Sequence, residues 1–300
     1  MSDAAAPTVA PAQERMDEIR ARVAGGEPLV GQLRTDFFAA AHALDPTATE
    51  DSLAVLPGNR GVEIYSSLLQ WAPLVGGERV LDVGCGSGGA ARAAAAIVGE
   101  KGRVMGVDTC REALAEASER TAAGAPVSFR RSNAQSMPFL DDRAFDCAVA
   151  SLVLEEIDDL PAAIAEVTRV LRPGGRFVAS VMAFDRLRPM DAAFMGSVLA
   201  VVGRRAPGAL AGRASRASVP DEPADKAAFA DAGLNTVEEQ DVQLAAVMED
   251  ADDAWRIFSR THIAYLLDEE GRADLREVLA RRLPHTVYLP VRFLRTRRPG

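Results

Sequence analysis

Lysine is almost missing from this 300-residue chain: of 34 basic residues only Lys101 and Lys226 are lysines, and 43 acids leave a net charge of −9. Neutralising a phosphate backbone needs a dense basic face, so this balance speaks against a nucleic-acid partner. The arginine pairs starting at 130, 204, 281 and 297 read as solvated faces. Cysteine is scarce too. Cys85, Cys110 and Cys147 are odd in number, far apart and without a C-x-x-C pair, as expected for reduced thiols in a cytoplasmic protein. Long apolar runs are absent. The longest, near Phe194 to Val202, is about half of the roughly 18 residues a membrane span needs and fits a buried helix. The N-terminus has an early acid and no apolar h-region, so it does not read as a signal peptide. No internal repeat is present. What remains, 48% hydrophobic and 26% charged, is the composition of a globular protein long enough for one large domain or a domain with a cap.

Glycine is where the chain becomes specific. Arg79 to Val83 is a short β-branched run with one acid, the kind of strand buried in a parallel sheet. Gly84-Cys85-Gly86-Ser87-Gly88-Gly89 breaks it, and the alanine-rich stretch behind is a strong helix former ending near Gly99. A helix N-terminus behind such a bend offers N–H groups and positive potential to a carboxylate or phosphate. The glycines satisfy both G-x-G-x-G (84, 86, 88) and the dinucleotide pattern G-x-G-x-x-G (84, 86, 89), so alone they leave the ligand open. Asp82 tips the choice: a carboxylate two residues before the first glycine suits an amino group on the ligand.

Strands and helices then alternate. Strands are expected at Arg103 to Val107, Val127 to Arg131, Ala144 to Ala150 and Arg176 to Ala183, with helices at Arg111 to Thr121 and around Ile164 to Leu171. Before them, amphipathic patterns from Glu14 to Leu44 and a helix from Gly61 to Ala72 predict a helical cover. Residues 184–223 interrupt the rhythm and read as a lid or substrate-facing insertion, in which Asp191 to Val202 is helical in pattern and Gly203 to Pro223 is expected to be mobile. The alternation resumes with a helix over Ala224 to Ala232, a strand from Thr236 to Leu244, helices over Asp252 to Leu267 and Gly271 to Leu283, and a strand from Thr286 to Leu294. Asp108 ends the second strand, twenty positions beyond Gly88, where an acid can accept two hydrogen bonds from a ribose diol; the competing role is a cap for the next helix. An acid there suits the ribose of an adenosine-containing ligand without choosing among such ligands.

From Asp82 through Gly88 the stretch resembles motif I of the class I S-adenosylmethionine (SAM) methyltransferases, and later segments extend the likeness. Asn133-Ala134 followed by Met137-Pro138-Phe139 and Phe145-Asp146 is similar to the family's D-A-x-x-L-P-F segment with its F-D pair, with Asn133 in place of Asp. Ser151-Leu152-Val153-Leu154-Glu155-Glu156 resembles the segment after the fourth strand, with Glu156 where His is common, and Leu171-Arg172-Pro173-Gly174-Gly175 resembles the L-R-P-G-G turn. The likeness covers roughly residues 60 to 183, and 224 to 294 more loosely.

That resemblance implies an α/β, Rossmann-like, seven-stranded, mostly parallel sheet with helices on both faces. It carries a disordered tail over 1–14, an N-terminal helical cover over 15–75, the SAM-binding core over 76–183, an insertion over 184–223 and the rest of the core over 224–300. Asp82, Gly84, Gly86 and Gly88 are expected to hold the methionine end, Asp108 the ribose, and Asn133 and Ala134 the adenine, with Ser151 near the methionine amino group and Cys85 and Thr109 also among the cofactor-binding residues. No metal is expected. The implied reaction is methyl transfer from S-adenosylmethionine to a small-molecule acceptor at O, N or C. Positioning and water exclusion can supply roughly 7–11 kcal/mol of such a barrier. A general base is optional, and His262 is the candidate for one. The partner is then a small molecule, with neither nucleic acid nor membrane, and a homodimer stays open. A NAD-dependent oxidoreductase and a SAM-binding protein without methyl transfer are the alternatives.

Overall fold

A computed structural model of the chain describes residues 9–47, 50, 64–211, 223–259 and 261–300. They form two compact units. One comprises residues up to 57 with 187–217 and 245–288; the other comprises 58–186, 218–244 and 289–300.

The second unit holds most of the sheet. Its strands are β1 (Arg79–Val83), β2 (Arg103–Asp108), β3 (Val127–Arg131), β4 (Phe145–Ser151), β5 (Leu171–Met182), β6 (Asn235–Met248) and β7 (His285–Arg297), in the order β3-β2-β1-β4-β5-β7-β6. The pairings β1–β2, β1–β4, β2–β3 and β4–β5 are parallel; β5–β7 is antiparallel, with Arg176 opposite Arg297 and Met182 opposite Val291. Central strands buried on both faces are apolar almost throughout: Val80, Leu81, Cys147, Ala148, Val149 and Ala150 are all fully buried. The connecting helix after β4, Leu160–Val170, has Asp159 as N-cap, accepting from the Ala162 N–H at 3.0 Å, with Pro161 in its first turn. Its stripe of Ala163, Ile164, Val167 and Val170 packs into one core with Leu81, Val83, Phe177 and Val181.

At the amino end of β1 charge is tied down. The Arg176 guanidinium meets both oxygens of Glu78 at 2.9 and 2.6 Å and also donates to the Ala72 and Pro73 carbonyls. Asp146 pairs with Arg172 at 2.5 Å and accepts the Arg79 N–H. The F-D and L-R-P-G-G segments that carry the family likeness are thus latched together at this edge.

The helical unit is built on α1 (Val9–Ala24) and α2 (Gly31–Leu44), whose Met16, Ile19, Val23, Leu33, Phe37 and Ala40 form a core with Val202, Ala206 and Leu266. Pro207–Ala211 docks on the chain after α1: Leu29 donates to the Gly208 carbonyl, and a Cβ on Gly208 would sit 1.9 Å from the Glu27 carbonyl oxygen. Arg205 ties the helix Pro189–Arg205 to Glu270 and Asp274 of the helix Glu269–Ala280. Among the described residues no helix is long and apolar enough to cross a membrane.

Several expectations are corrected. The tail expected over 1–14 is helical from Val9, because Ala12 and Met16 are buried on the inner face of α1; residues 1–8 lie outside the described residues. Of the part expected to be mobile, 203–205 and 207–211 are helical and 212–222 lies outside the described residues. The start of the 61–72 helix also lies outside them, the described part being Ile64–Trp71. Asp252 to Leu267 is two helices, Ala251–Phe258 and His262–Leu266, broken where Phe258 accepts from both the N–H and the hydroxyl of Thr261. Residues 245–288 fall in the helical unit, so the stretch 224–300 is divided between the two.

Candidate functional site

The bend after β1 is built from two glycine devices. Gly86 has φ +52, and a Cβ there would meet nothing within 4 Å, so its left-handed backbone faces open space. Gly89, the first residue of the helix Gly89–Val98, is different: a Cβ there would stand 2.5 Å from Cε2 of Tyr65, whose ring lies on it. The third glycine of the dinucleotide pattern is therefore a packing notch. Gly84 packs against Val153 from the loop after β4, and Gly88 is the helix N-cap.

Asp108 closes the bend onto β2. Its Oδ2 accepts the Gly86 N–H at 2.9 Å and its Oδ1 accepts the Cys110 N–H at 2.8 Å. Cys110, not Asp108, is the N-cap of the helix Arg111–Glu119, so the bond from the Cys110 N–H is an Asx turn leading into that helix rather than the cap weighed for Asp108. A carboxylate oxygen retains a second lone pair, so Asp108, half-buried, can still accept from a ligand. The Thr109 carbonyl beside it accepts from Arg131 Nε at 3.0 Å.

Asp82 lies inside β1 and is 1% exposed. The glycine at the helix N-cap offers no side chain, and the Ala91 N–H in the first turn donates to Asp82 instead. Its Oδ2 has neither solvent nor a hydrogen-bond partner. Burial, with the Asp108 carboxylate nearby, pushes the Asp82 carboxyl up to about 8. Burial likewise pushes the Cys85 thiol up, and Cys110 and Cys147 each to about 12, so these free cysteines are poor nucleophiles.

Asn133 is exposed after β3, and its Oδ1 accepts the Gln135 N–H at 2.9 Å, an Asx turn that holds the loop. Ala134 packs against the sheet core. Ser151 ends β4, where Ser180 donates to its hydroxyl at 3.4 Å. Leu152 follows with φ +50 while its N–H donates to the Ser180 carbonyl. A leucine in the left-handed region costs on the order of 1–3 kcal/mol and is typical of site loops. Its strain has no sequence signal. Two further residues went unread: Glu166 accepts the Met137 N–H at 2.7 Å, and Arg169 donates to the Met137 and Leu140 carbonyls, clamping the loop that carries Asn133 and Ala134. Their spacing of three on one helix was the available signal.

All ten proposed cofactor residues lie in the second unit. His262 lies in the helical unit, its ring edge-on to Phe38 at 4.6 Å and to Phe37 at 6.2 Å. Among the described residues no group of three His, Cys, Asp or Glu could hold a metal ion.

Residues 81–179, about a third of the chain, match the family described as methyltransferase domain. By sequence this segment is similar to methyltransferase domains. Similar proteins include the 2-phytyl-1,4-naphtoquinone methyltransferase of Synechococcus elongatus, 37% identical over 111 residues covering 36% of this chain and 47% of that one. The demethylmenaquinone methyltransferase of Symbiobacterium thermophilum is 35% identical over 106 residues, 34% of this chain and 41% of that one. The chain thus spans less than half the length of these relatives. The [4+2]-cyclase SpnF shares the fold, with a TM-score of 0.57 at 20% identity over 91% of this chain and 97% of that one. The residues of the methyltransferase domain fit an adenosyl amino acid: a buried carboxylate oxygen without a partner, a second carboxylate at the end of β2, and an open bend at Gly86 between them in sequence.

Proposed function

We propose that the protein transfers the methyl group of S-adenosylmethionine to a small-molecule acceptor, of quinone type or from secondary metabolism, in the cytoplasm. The observation that carries this reading is the pair Asp82 and Asp108 flanking the glycine bend inside a methyltransferase domain. When bound, the cofactor supplies a methyl group already activated on a cationic sulfur. The chain then has to bind, orient and keep water out. Asp82 and the bend at Gly84 to Gly88 take the amino-acid end, Asp108 and Thr109 the ribose, Asn133 and Ala134 the adenine, and Ser151 the neighbourhood of the amino group. Where an acceptor hydroxyl must lose its proton, His262 is our candidate base.

The oxidoreductase alternative loses support. Dinucleotide enzymes of the doubly wound class use the order 3-2-1-4-5-6, whereas an antiparallel β7 stands here between β5 and β6. A protein that binds the cofactor without spending its methyl is favoured by Glu156 at the position where the family often has His, and by the fold shared with a [4+2]-cyclase. The test is incubation of the full chain with S-adenosylmethionine and reduced naphthoquinones, followed by mass spectrometry. Methylated product with equimolar S-adenosylhomocysteine supports transfer. Binding without either product supports the second reading.

A further inference from the structure

The carboxylate inside β1 stands without a counter-charge, and that isolation has a consequence for how the site fills. Asp82 is 1% exposed, and no arginine, lysine or histidine pairs with it among the described residues. The groups facing it from neighbouring elements do not supply a cation. From β2, Asp108 adds a second negative charge. In the bend, the Cys85 thiol feels both carboxylates and stays protonated. From the helix Gly89–Val98, the Ala91 amide donates one hydrogen bond, while the Arg92 guanidinium reaches the Ser87 carbonyl. From the helix Ile64–Trp71, Tyr65 covers Gly89 with its ring. A lone buried carboxylate is costly and takes up a proton instead. That leaves Oδ2 unpartnered, a vacancy in hydrogen bonding that a buried polar group ordinarily does not tolerate.

We propose that the amino group of the bound adenosyl amino acid displaces the proton of Asp82, so that cofactor binding and proton release are one coupled event. This rests on the reading of the site as one for S-adenosylmethionine. The balance is simple: the carboxylic O–H bond of Asp82 breaks, its proton passes to the buffer, and the ligand ammonium keeps its own protons and faces the resulting carboxylate. Burial, which holds Asp82 protonated at neutral pH, is the direction this requires. Below the point where free Asp82 ionises, each unit of acidification then weakens binding about tenfold. Above it the dependence disappears.

The experiment is calorimetric titration of the full chain with S-adenosylhomocysteine at pH 6 and 7, in two buffers of different ionisation enthalpy. The expected result is about one proton released per ligand at pH 7 and a Kd about tenfold tighter than at pH 6. A parallel titration with 5′-methylthioadenosine, which lacks the amino-acid end, is expected to bind without proton release. Asp82→Asn is expected to abolish the release; because the wild-type proton count decides the matter, a variant that fails to fold does not rescue the idea. Tight, pH-independent binding with no proton released overturns the coupling and leaves the cofactor assignment standing. No binding of S-adenosylhomocysteine at either pH overturns both.

Discussion

The two edges of the same sheet treat acids in opposite ways. At the amino edge each acid described above has an arginine: Glu78 with Arg176, and Asp146 with Arg172. At the carboxyl edge Asp82 and Asp108 have backbone N–H groups and each other. The first arrangement neutralises charge within the chain and closes the structure. The second leaves acids without a counter-charge from the chain, one of them, Asp82, kept protonated by burial, an arrangement that a cationic ligand group can complete and a latch cannot.

Breaking the amino edge should have the largest effect, and on stability alone. Arg176→Ala leaves the nearly buried Glu78 unpaired and is expected to lower unfolding free energy by about 3–5 kcal/mol, read by urea denaturation. Affinity for S-adenosylhomocysteine should be unchanged in whatever fraction remains folded. The carboxyl edge should answer the other way. Asp108→Ala is expected to weaken S-adenosylhomocysteine by roughly tenfold or more, the loss of about 1.5–3 kcal/mol in charged hydrogen bonds. Unchanged affinity contradicts its ribose role.

Asp82 sharpens the contrast through pH. Burial raises its carboxyl in the folded chain from the ordinary aspartate range near 3.8 to about 8, so the folded state holds a proton that the unfolded state has lost across that window. Stability from this group is therefore present at low pH and falls as pH rises from about 4 to about 8. Asp82→Asn should flatten that slope, measured as the wild-type minus variant difference in Tm between pH 5 and pH 8. The smallest effect belongs to Arg172→Ala. Arg172 is more than half exposed, so its pair with Asp146 should be worth within about 1 kcal/mol, with no change in ligand affinity.

Much of this was legible in order along the chain. The alternation of β-branched runs with helical stripes marks seven strands, and the glycine bend with Asp82 and Asp108 marks the edge for which we propose the site. What stayed hidden depends on residues distant in sequence. Gly89 reads equally well as a ligand glycine or a packing glycine until the Tyr65 ring is seen on it, 24 positions upstream. Arg169 and Glu166 look like an ordinary helix-surface pair, yet they hold the loop of Asn133 and Ala134. The left-handed Leu152 occurs where its N–H bonds the Ser180 carbonyl of the neighbouring strand, a contact that no local propensity foreshadows. The grouping of 245–288 with the N-terminal helices is likewise a tertiary choice that periodicity does not encode.

The direct test of the difference between the two edges is amide hydrogen exchange on the full chain with and without saturating S-adenosylhomocysteine. The account predicts slowed exchange at Gly84 to Gly89 and at Asp108 to Cys110, with Val75 to Arg79 and Arg172 to Arg176 unaltered. Protection confined to the amino edge, or none at the glycine bend despite saturation, contradicts it.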